Sequence, residues 1–112
     1  MSSPTARSLQ ECRKRGYTAQ VVERWCQYSR RRIDLFGVVD IVAITPTAIL
    51  AIQACAGASH ANRMTKIQAE PRTALWLQAG GKLSIWSWSK RGAKGHRKTW
   101  TLREEEIHVL PR

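Results

Sequence analysis

Two aspartates stand alone in the longest stretch of this sequence without a basic residue. Asp34 and Asp40 are the only charged residues between Ile33 and Asn62, and Asp40 lies within the apolar run Val38–Val42. Burying a carboxylate costs free energy unless it is paired or bound to a metal ion. The pattern leaves two interpretations open: either Asp40 pairs with a buried arginine or caps a turn, or it belongs to a working site.

The residues around Asp40 predict a hairpin. Leu35–Ile44 and Ala48–Cys55 are rich in apolar residues, and a proline-bearing segment separates them. If the loop is Thr45–Ala48, Asp40 lies directly opposite Gln53, with the two side chains on one face about 5 Å apart. A register shift of one residue would separate them.

One face of this hairpin would therefore gather metal-binding groups. Gln53 and Cys55 share a face with Asp40, and Asp34 joins them by parity if the strand extends back through Gly37. Mg²⁺ binds carboxylate and amide oxygens, and such an ion can orient water and stabilise a phosphodiester transition state. We therefore predict an Mg²⁺ or Mn²⁺ site formed by Asp40, Gln53 and Asp34.

The segment Gly37–Ala43, a turn, and Ile49–Cys55 resemble the core motif of the PD-(D/E)XK nucleases. The similarity is to the archaeal Holliday-junction resolvases, which show G-V-P-D-I-I-A, a turn, and Y-L-A-I-E-V-K. The resemblance is specific over about Arg31–Cys55 and extends elsewhere only to the order helix–strand–strand–strand–helix–strand. It implies a restriction-endonuclease-like core, metal-dependent cleavage of DNA, with structured or branched DNA among the candidate substrates, and a possible homodimer.

The resemblance assigns roles to individual positions. Asp40 falls on the metal-binding aspartate and Gln53 on the second acidic ligand, a position where some branches use glutamine. Cys55 falls on the lysine that helps to activate water, and a thiol cannot supply its charge. Lys66 or Arg63, from the following helix, could replace that lysine.

The family's acidic residue on the first helix has two candidates in this chain. They are Glu11, whose spacing fits poorly, and Glu23, which follows Gly16 among apolar residues. The predicted catalytic set is Asp40, Gln53, Glu23 and Lys66. Without a substitute for the lysine at position 55, the chain would bind DNA and metal but cut slowly or not at all.

The basic residues are numerous and clustered. The chain of 112 residues has 19 Lys and Arg against 8 Asp and Glu, a net charge of +11. Such an excess favours a polyanionic partner, DNA with RNA not excluded, although a basic protein need not have one. The predicted nucleic-acid-binding residues are Arg30, Arg31, Arg32, Arg63, Lys90, Arg91, Lys94, Arg97 and Lys98.

Other residue types carry weaker signals. Trp76, Trp86, Trp88 and Trp100 could stack on bases, but their strand-like spacing favours core packing. His60 could act as a general base, but it stands alone and is expected on the surface or at a helix start. Three cysteines without a C-x-x-C pair argue against a disulfide framework or a zinc site.

The pattern of apolar and turn residues predicts one α/β (α+β) domain, residues 1–112, with a single mixed sheet flanked by helices in the order α-β-β-β-α-β-β(-β). Helices are expected at Thr5–Arg15 and Ser59–Gln68, strands at Tyr17–Cys26, Leu35–Ile44, Ala48–Cys55, Thr73–Leu77, Leu83–Trp88, Lys98–Leu102 and Ile107–Val109, and loops at Gln27–Arg32 and Ser89–His96.

The sequence has no apolar run long enough to span a membrane and no signal peptide, so a cytoplasmic location without membrane contact is expected. Three functions remain open. The first is a metal-dependent endonuclease. The second is a nucleic-acid-binding domain of the same fold with impaired catalysis. The third is an unrelated basic interaction module, for which Asp40 and Gln53 would not converge.

Overall fold

The structure, a computed structural model, describes residues 3–108. Within that range the helices are α1 (Pro4–Lys14), α2 (His60–Ala69) and α3 (Pro71–Gln78), with a 3₁₀ turn at Gly57–Ser59. The strands are β1 (Thr18–Val21), β2 (Arg24–Cys26), β3 (Arg31–Ile33), β4 (Ile41–Ile44), β5 (Ile49–Ala56), β6 (Lys82–Arg91) and β7 (Thr99–Glu106).

A five-stranded mixed sheet in the order β1-β4-β5-β6-β7 forms the body of the molecule. The strands β5 and β6 are parallel, and α2 and α3 make the crossover between them, whereas the other neighbours are antiparallel. A small hairpin of β2 and β3 stands apart from this sheet. The predicted α+β architecture with one mixed sheet and flanking helices is confirmed.

Helices cover both faces of the sheet, because alternate strand residues point to opposite sides. Ile41, Ile52 and Trp86 pack with Cys12 of α1 on one face. On the other face α2 and α3 cover a second cluster, formed by Val38, Val39, Ala51, Cys55, Ile67, Leu83, Ile85 and Ile107. The predicted alternation along β6 is confirmed.

The predicted register of the β4–β5 hairpin is also confirmed. Ile44 pairs with Ile49 and Ile41 with Ile52. The loop closes through Thr45, whose backbone N–H donates to the Ala48 carbonyl at 2.9 Å. The Thr45 hydroxyl oxygen in turn accepts the Ala48 N–H at 3.0 Å. This loop fixes the pairing that sets Asp40 against Gln53.

The strand expected at Thr73–Leu77 is wrong, because these residues lie in α3. Pro71 occupies the first turn of α3, where its missing N–H and fixed φ suit a helix start. The Glu70 side chain caps the same turn by accepting the Arg72 N–H at 2.9 Å. Pro71 thus ends α2 as expected but begins another helix.

The strands before Asp40 are shorter than expected. Tyr17–Cys26 divides into β1 and β2, which belong to different sheets, and the expected loop Gln27–Arg32 contributes two residues to β3. In Leu35–Ile44 only the last four residues form a strand. Of the expected strand Ile107–Val109, Val109 lies outside the described residues. None of the helices in residues 3–108 is long and apolar enough to cross a membrane.

Candidate metal and nucleic-acid site

Asp40 lies immediately before β4, with its side chain in the interior. Its backbone N–H donates to the Ile52 carbonyl at 2.9 Å, which extends the hairpin pairing by one step. One carboxylate oxygen, Oδ2, accepts hydrogen bonds from Gln53 Nε2 at 2.6 Å and from the Ala54 N–H at 2.8 Å. The residue is 4% exposed. Asp40 and Gln53 therefore converge on one face, as the hairpin register requires.

A tight turn, and not an extended strand, brings Asp34 to Asp40. Phe36 and Gly37 have φ angles of 55° and 76°, and Leu35 forms a bridge with Val39. A left-handed φ costs a residue such as phenylalanine of order 1 kcal/mol. The expectation that Asp34 reaches this face by strand parity is wrong, but the turn folds it back onto Asp40.

Glu23 reaches the same place through the break between β1 and β2. The Val22 N–H donates to the Asp40 carbonyl at 2.8 Å, so the chain passes beside Asp40 as β1 ends. The Glu23 carboxylate accepts a hydrogen bond from Arg32 Nη1 at 3.1 Å. Carboxylate oxygens of Glu23, Asp34 and Asp40 all lie within 4.8 Å of one another. We call these three residues the acid cluster.

Burial and crowding of negative charge change the acidity of Asp40. Its pKa is raised to about 8, mainly by desolvation and further by a hydrogen bond to Asp34 and by the charges of Asp34 and Glu23. The Ala54 N–H acts in the opposite direction. Asp40 therefore holds a proton at neutral pH in the metal-free protein and donates it to Asp34.

This arrangement leads us to expect that the metal-free protein loses stability as pH rises from about 4 to about 8. The unfolded chain releases the Asp40 proton near its ordinary pKa of 3.8, whereas the folded chain keeps it to about 8. Unfolding therefore releases a proton in this window, and raising the pH favours the unfolded state by up to about 1.4 kcal/mol per pH unit.

Urea unfolding in EDTA at pH 5 and pH 8 tests this expectation. Asp40→Asn should be more stable than the wild type by a margin that grows between the two pH values. The titrating groups outside the acid cluster contribute equally to both proteins, so the comparison isolates the acid cluster. A margin that stays constant would contradict the raised pKa.

The Gln53 amide presents its nitrogen, not its oxygen, to Asp40. Its Oε1 is buried and has no hydrogen-bond partner among residues 3–108. The set of oxygens that crowd together is thus Asp40, Asp34 and Glu23, with Gln53 as the group that orients Asp40. Three carboxylates so close to one another fit a hard divalent cation, which would relieve their repulsion.

A cavity of about 250 Å³ opens beside the acid cluster. Asp34 lines it together with Arg31, Arg32 and Lys66. The exposed Lys66 comes from α2, so the crossover helix delivers a cation to the rim of the site. The cavity therefore joins basic side chains to one edge of the acid cluster, an arrangement suited to a phosphate group next to a metal ion.

Position 55 carries no charge of its own. Cys55 is 4% exposed and packs in the core under α2, and burial raises the pKa of its thiol. The charge of Arg63 acts in the opposite direction on that pKa. Of the two helix residues considered for the role of a lysine at position 55, Lys66 lines the cavity and the charge of Arg63 reaches Cys55.

The remaining predicted nucleic-acid-binding residues lie farther along the molecule. Arg30 occupies the β2–β3 turn next to the cavity, with a φ of 52°. Lys90 and Arg91 end β6 and point to opposite faces, since they are neighbours on one strand. Lys94, Arg97 and Lys98 belong to the β6–β7 loop.

The face covered by α1 carries a large cavity but none of the acid cluster. That cavity, of about 710 Å³, lies beside α1 with Trp88 and Trp100 in its wall. Trp86 and Trp88 are buried, as their spacing predicts, whereas Trp100 is 45% exposed under the Arg7 guanidinium. On α1, Glu11 pairs with Arg15 at 2.9 Å and so lies away from the acid cluster.

One arrangement has no counterpart in the sequence analysis. His60 does begin α2, as expected, but it is buried at 4% exposure. Its Nδ1 lies 2.7 Å from Ser87 Oγ and its Nε2 lies 2.7 Å from Glu105 Oε1. The partners are 27 and 45 residues away in sequence, and no short motif signals such a contact.

Comparison with protein-family models, curated proteins and solved structures finds no match to this chain.

Proposed function

We propose that this chain is a metal-dependent endonuclease-like protein that hydrolyses phosphodiester bonds in DNA. The observation that carries the proposal is the acid cluster, three carboxylates within 4.8 Å of one another at the edge of a cavity lined by arginine and lysine. Carboxylates that crowd together at a cost in stability are typical of functional sites. The PD-(D/E)XK-like motif around Asp40 and the basic charge of the chain support the same function.

Asp40, Asp34 and Glu23 are the residues that would hold Mg²⁺ or Mn²⁺. When bound, such an ion lowers the pKa of water and neutralises charge on the phosphate. To hold the ion, Asp40 would give up the proton that it otherwise donates to Asp34. Gln53 and the Ala54 N–H keep the Asp40 carboxylate in one orientation, so little reorganisation accompanies the reaction.

The basic residues of the cavity have complementary tasks. Arg31 and Arg32 would hold the backbone phosphate, and the ion pair of Arg32 with Glu23 ties phosphate binding to the acid cluster. Lys66 would stand close to the reacting phosphate, orienting the attacking water and stabilising the developing negative charge. This gives Lys66 the task that the family assigns to the lysine at the Cys55 position.

The alternative is a catalytically impaired nucleic-acid-binding domain of the same fold, and one observation favours it. Cys55 occupies the position of the family's lysine and is buried in the core, so its neutral side chain cannot assist cleavage. On this alternative the chain would bind DNA with a strong dependence on salt and would not cut it with any metal.

A cleavage assay separates the two functions. The protein is incubated with labelled duplex, single-stranded and four-way-junction DNA, each with Mg²⁺, with Mn²⁺ or with EDTA. Metal-dependent cleavage of one or more substrates supports the endonuclease, and preference for the junction would define a structure-selective enzyme. Salt-sensitive binding of all three without cleavage in either metal would overturn it in favour of the binding domain.

A further inference from the structure

A further cavity, of about 270 Å³, lies on the sheet beyond Cys55. Its walls carry two guanidinium groups and three hydroxyl groups, chemistry that suits a phosphate. The lining residues are Gly57, Ser87, Ser89, Arg91, Thr101, Leu102 and Arg103. We call this cavity the hydroxyl–arginine pocket.

Strand pairing brings these side chains to one face of the sheet. Ser87 pairs with Arg103 and Ser89 pairs with Thr101 across β6 and β7. Since alternate residues of a strand share a face, Arg91 also points to that side. Five polar side chains from two strands thus converge on one patch of the sheet.

The pocket is closed at one end by a backbone that approaches very closely. A Cβ atom on Gly57 would lie 1.9 Å from Ser89 Oγ, so a side chain at position 57 would displace the Ser89 hydroxyl. Gly57 begins the 3₁₀ turn that leads into α2. The close approach fixes the start of this turn against the serine wall of the pocket.

A hydrogen-bond network of Ser87, His60 and Glu105 holds that wall in place. Glu105 accepts a hydrogen bond from His60 Nε2, which leaves Nδ1 to accept the Ser87 hydroxyl proton. Ser87 is 2% exposed and His60 is 4% exposed, so the hydrogen bond between them is shielded from water, whereas the Glu105 side chain is 44% exposed. Arg103 Nη2 lies 3.7 Å from Glu105 Oε1, so the arginine also contacts this hydrogen-bond network.

The hydroxyl–arginine pocket and the acid cluster share one face of the sheet. Cys55 pairs with Ser87 across β5 and β6, and Cys55 is two residues beyond Gln53, the partner of Asp40. Two strand spacings sideways and two residues along the strand separate Asp40 from Ser87, a distance of roughly 12 Å. A B-form strand advances about 3.4 Å per nucleotide, so a few nucleotides span the two sites.

We propose that the hydroxyl–arginine pocket is a phosphate-binding subsite that holds a backbone phosphate of the nucleic-acid strand whose neighbouring phosphodiester lies at the acid cluster. The second half of this statement rests on the proposed function, whereas phosphate binding by the pocket does not. The subsite fixes the position of the strand along the sheet, and Arg91 and Arg103 supply the charge that holds it.

The test compares two double variants in EDTA, where cleavage plays no part. Arg91→Gln with Arg103→Gln removes the pocket charges, and Arg13→Gln with Lys14→Gln removes two charges from α1 on the other face. Anisotropy of a labelled 12-nucleotide single strand gives affinity at several salt concentrations. We expect the pocket variant to bind at least about tenfold more weakly, with a salt slope lower by about one to two, and the α1 variant to bind within about threefold of wild type.

Thermal unfolding with inorganic phosphate supplies a second measurement. Phosphate should raise the melting temperature of the wild type and of the α1 variant but not of the pocket variant. Equal loss of DNA affinity in both variants would overturn the proposal. Phosphate stabilisation lost in the pocket variant with unchanged DNA affinity would overturn the assignment to a strand and leave free phosphate as the ligand.

The same proteins distinguish this proposal from the proposed function. If the wild type does not cleave saturating DNA with Mn²⁺, the proposed endonuclease function is wrong. The binding measurements in EDTA still test whether the pocket binds phosphate. A wild type that cleaves, combined with equal binding losses in both variants, would defeat the subsite alone.

Discussion

Replacing Asp40 with asparagine should lower Mn²⁺-dependent DNA cleavage at least about 1000-fold, because it removes the central charge of the acid cluster. In the metal-free protein Asp40 is protonated, since burial and Asp34 raise its pKa to about 8. Asparagine is isosteric with that protonated form. Its Oδ1 can accept the hydrogen bonds from Gln53 and the Ala54 N–H, and its Nδ2 can donate to Asp34. The fold should therefore survive intact.

The measurement is a single-turnover cleavage rate with saturating DNA and Mn²⁺, with circular dichroism as the check on folding. Glu106→Gln is a matched control, since this glutamate is an exposed residue of β7 that pairs with Lys82 at 3.6 Å. It should cleave at the wild-type rate. If Asp40→Asn cleaves as fast as the wild type, the acid cluster is not the site of the chemistry.

Replacing Lys66 with methionine should lower the cleavage rate about 100-fold, the usual scale for losing one group that orients water or stabilises charge in the transition state. Lys66 lines the same cavity as Asp34, so its charge lies close to a phosphate held there. Arg63→Met should have a smaller effect, because Arg63 acts on the buried Cys55 at the back of the site.

Rates at saturating DNA separate this loss from weaker binding. Lys14→Met, on α1 across the sheet, removes the same charge and should leave the saturated rate unchanged. Lys66→Arg should recover part of the rate because it restores a cation. If the effect of Lys66→Met disappears at saturating DNA, Lys66 contributes only to binding. Lys66 would then not take the role that the resemblance assigns to a lysine at position 55.

Local pattern was sufficient to predict the pair at the centre of the site. The proline-bearing turn fixed the hairpin loop, and the loop fixed the partner of Asp40 as Gln53. Alternation along β6 likewise predicted which residues face each helix layer. Both are consequences of the two-residue period of a strand, which depends only on neighbouring residues.

The rest of the acid cluster depends on backbone turns that strand periodicity does not describe. Asp34 returns to Asp40 through a left-handed turn at Phe36, a conformation that phenylalanine seldom adopts. Glu23 joins them where β1 ends and the chain leaves the sheet. The helix α3 was not predicted because a proline such as Pro71 can both end one helix and begin the next.

The hydroxyl–arginine pocket was beyond prediction for a different reason. Its hydrogen-bond network joins His60 to partners 27 and 45 residues away, and the pairings of β5 with β6 and of β6 with β7 bring them together. Such contacts are long-range in sequence and have no local periodic signal. The residues that mark the pocket as a site become visible only when the sheet is assembled.

The acid cluster destabilises the fold, and this argues for a functional role. Three carboxylates held together, one of them with a pKa of about 8, cost stability that a neutral core would not. The left-handed turn that returns Asp34 to the cluster adds to that cost. Proteins tend to retain destabilising arrangements of this kind where binding or catalysis requires them.

Crystals of the protein soaked in Mn²⁺ test the central claim most directly. Anomalous scattering should place a manganese ion in contact with carboxylate oxygens of Asp40, Asp34 and Glu23, and the ion should be absent from Asp40→Asn crystals soaked in the same way. Well-ordered wild-type crystals with no anomalous peak at the acid cluster, at Mn²⁺ concentrations that support cleavage, would contradict the account.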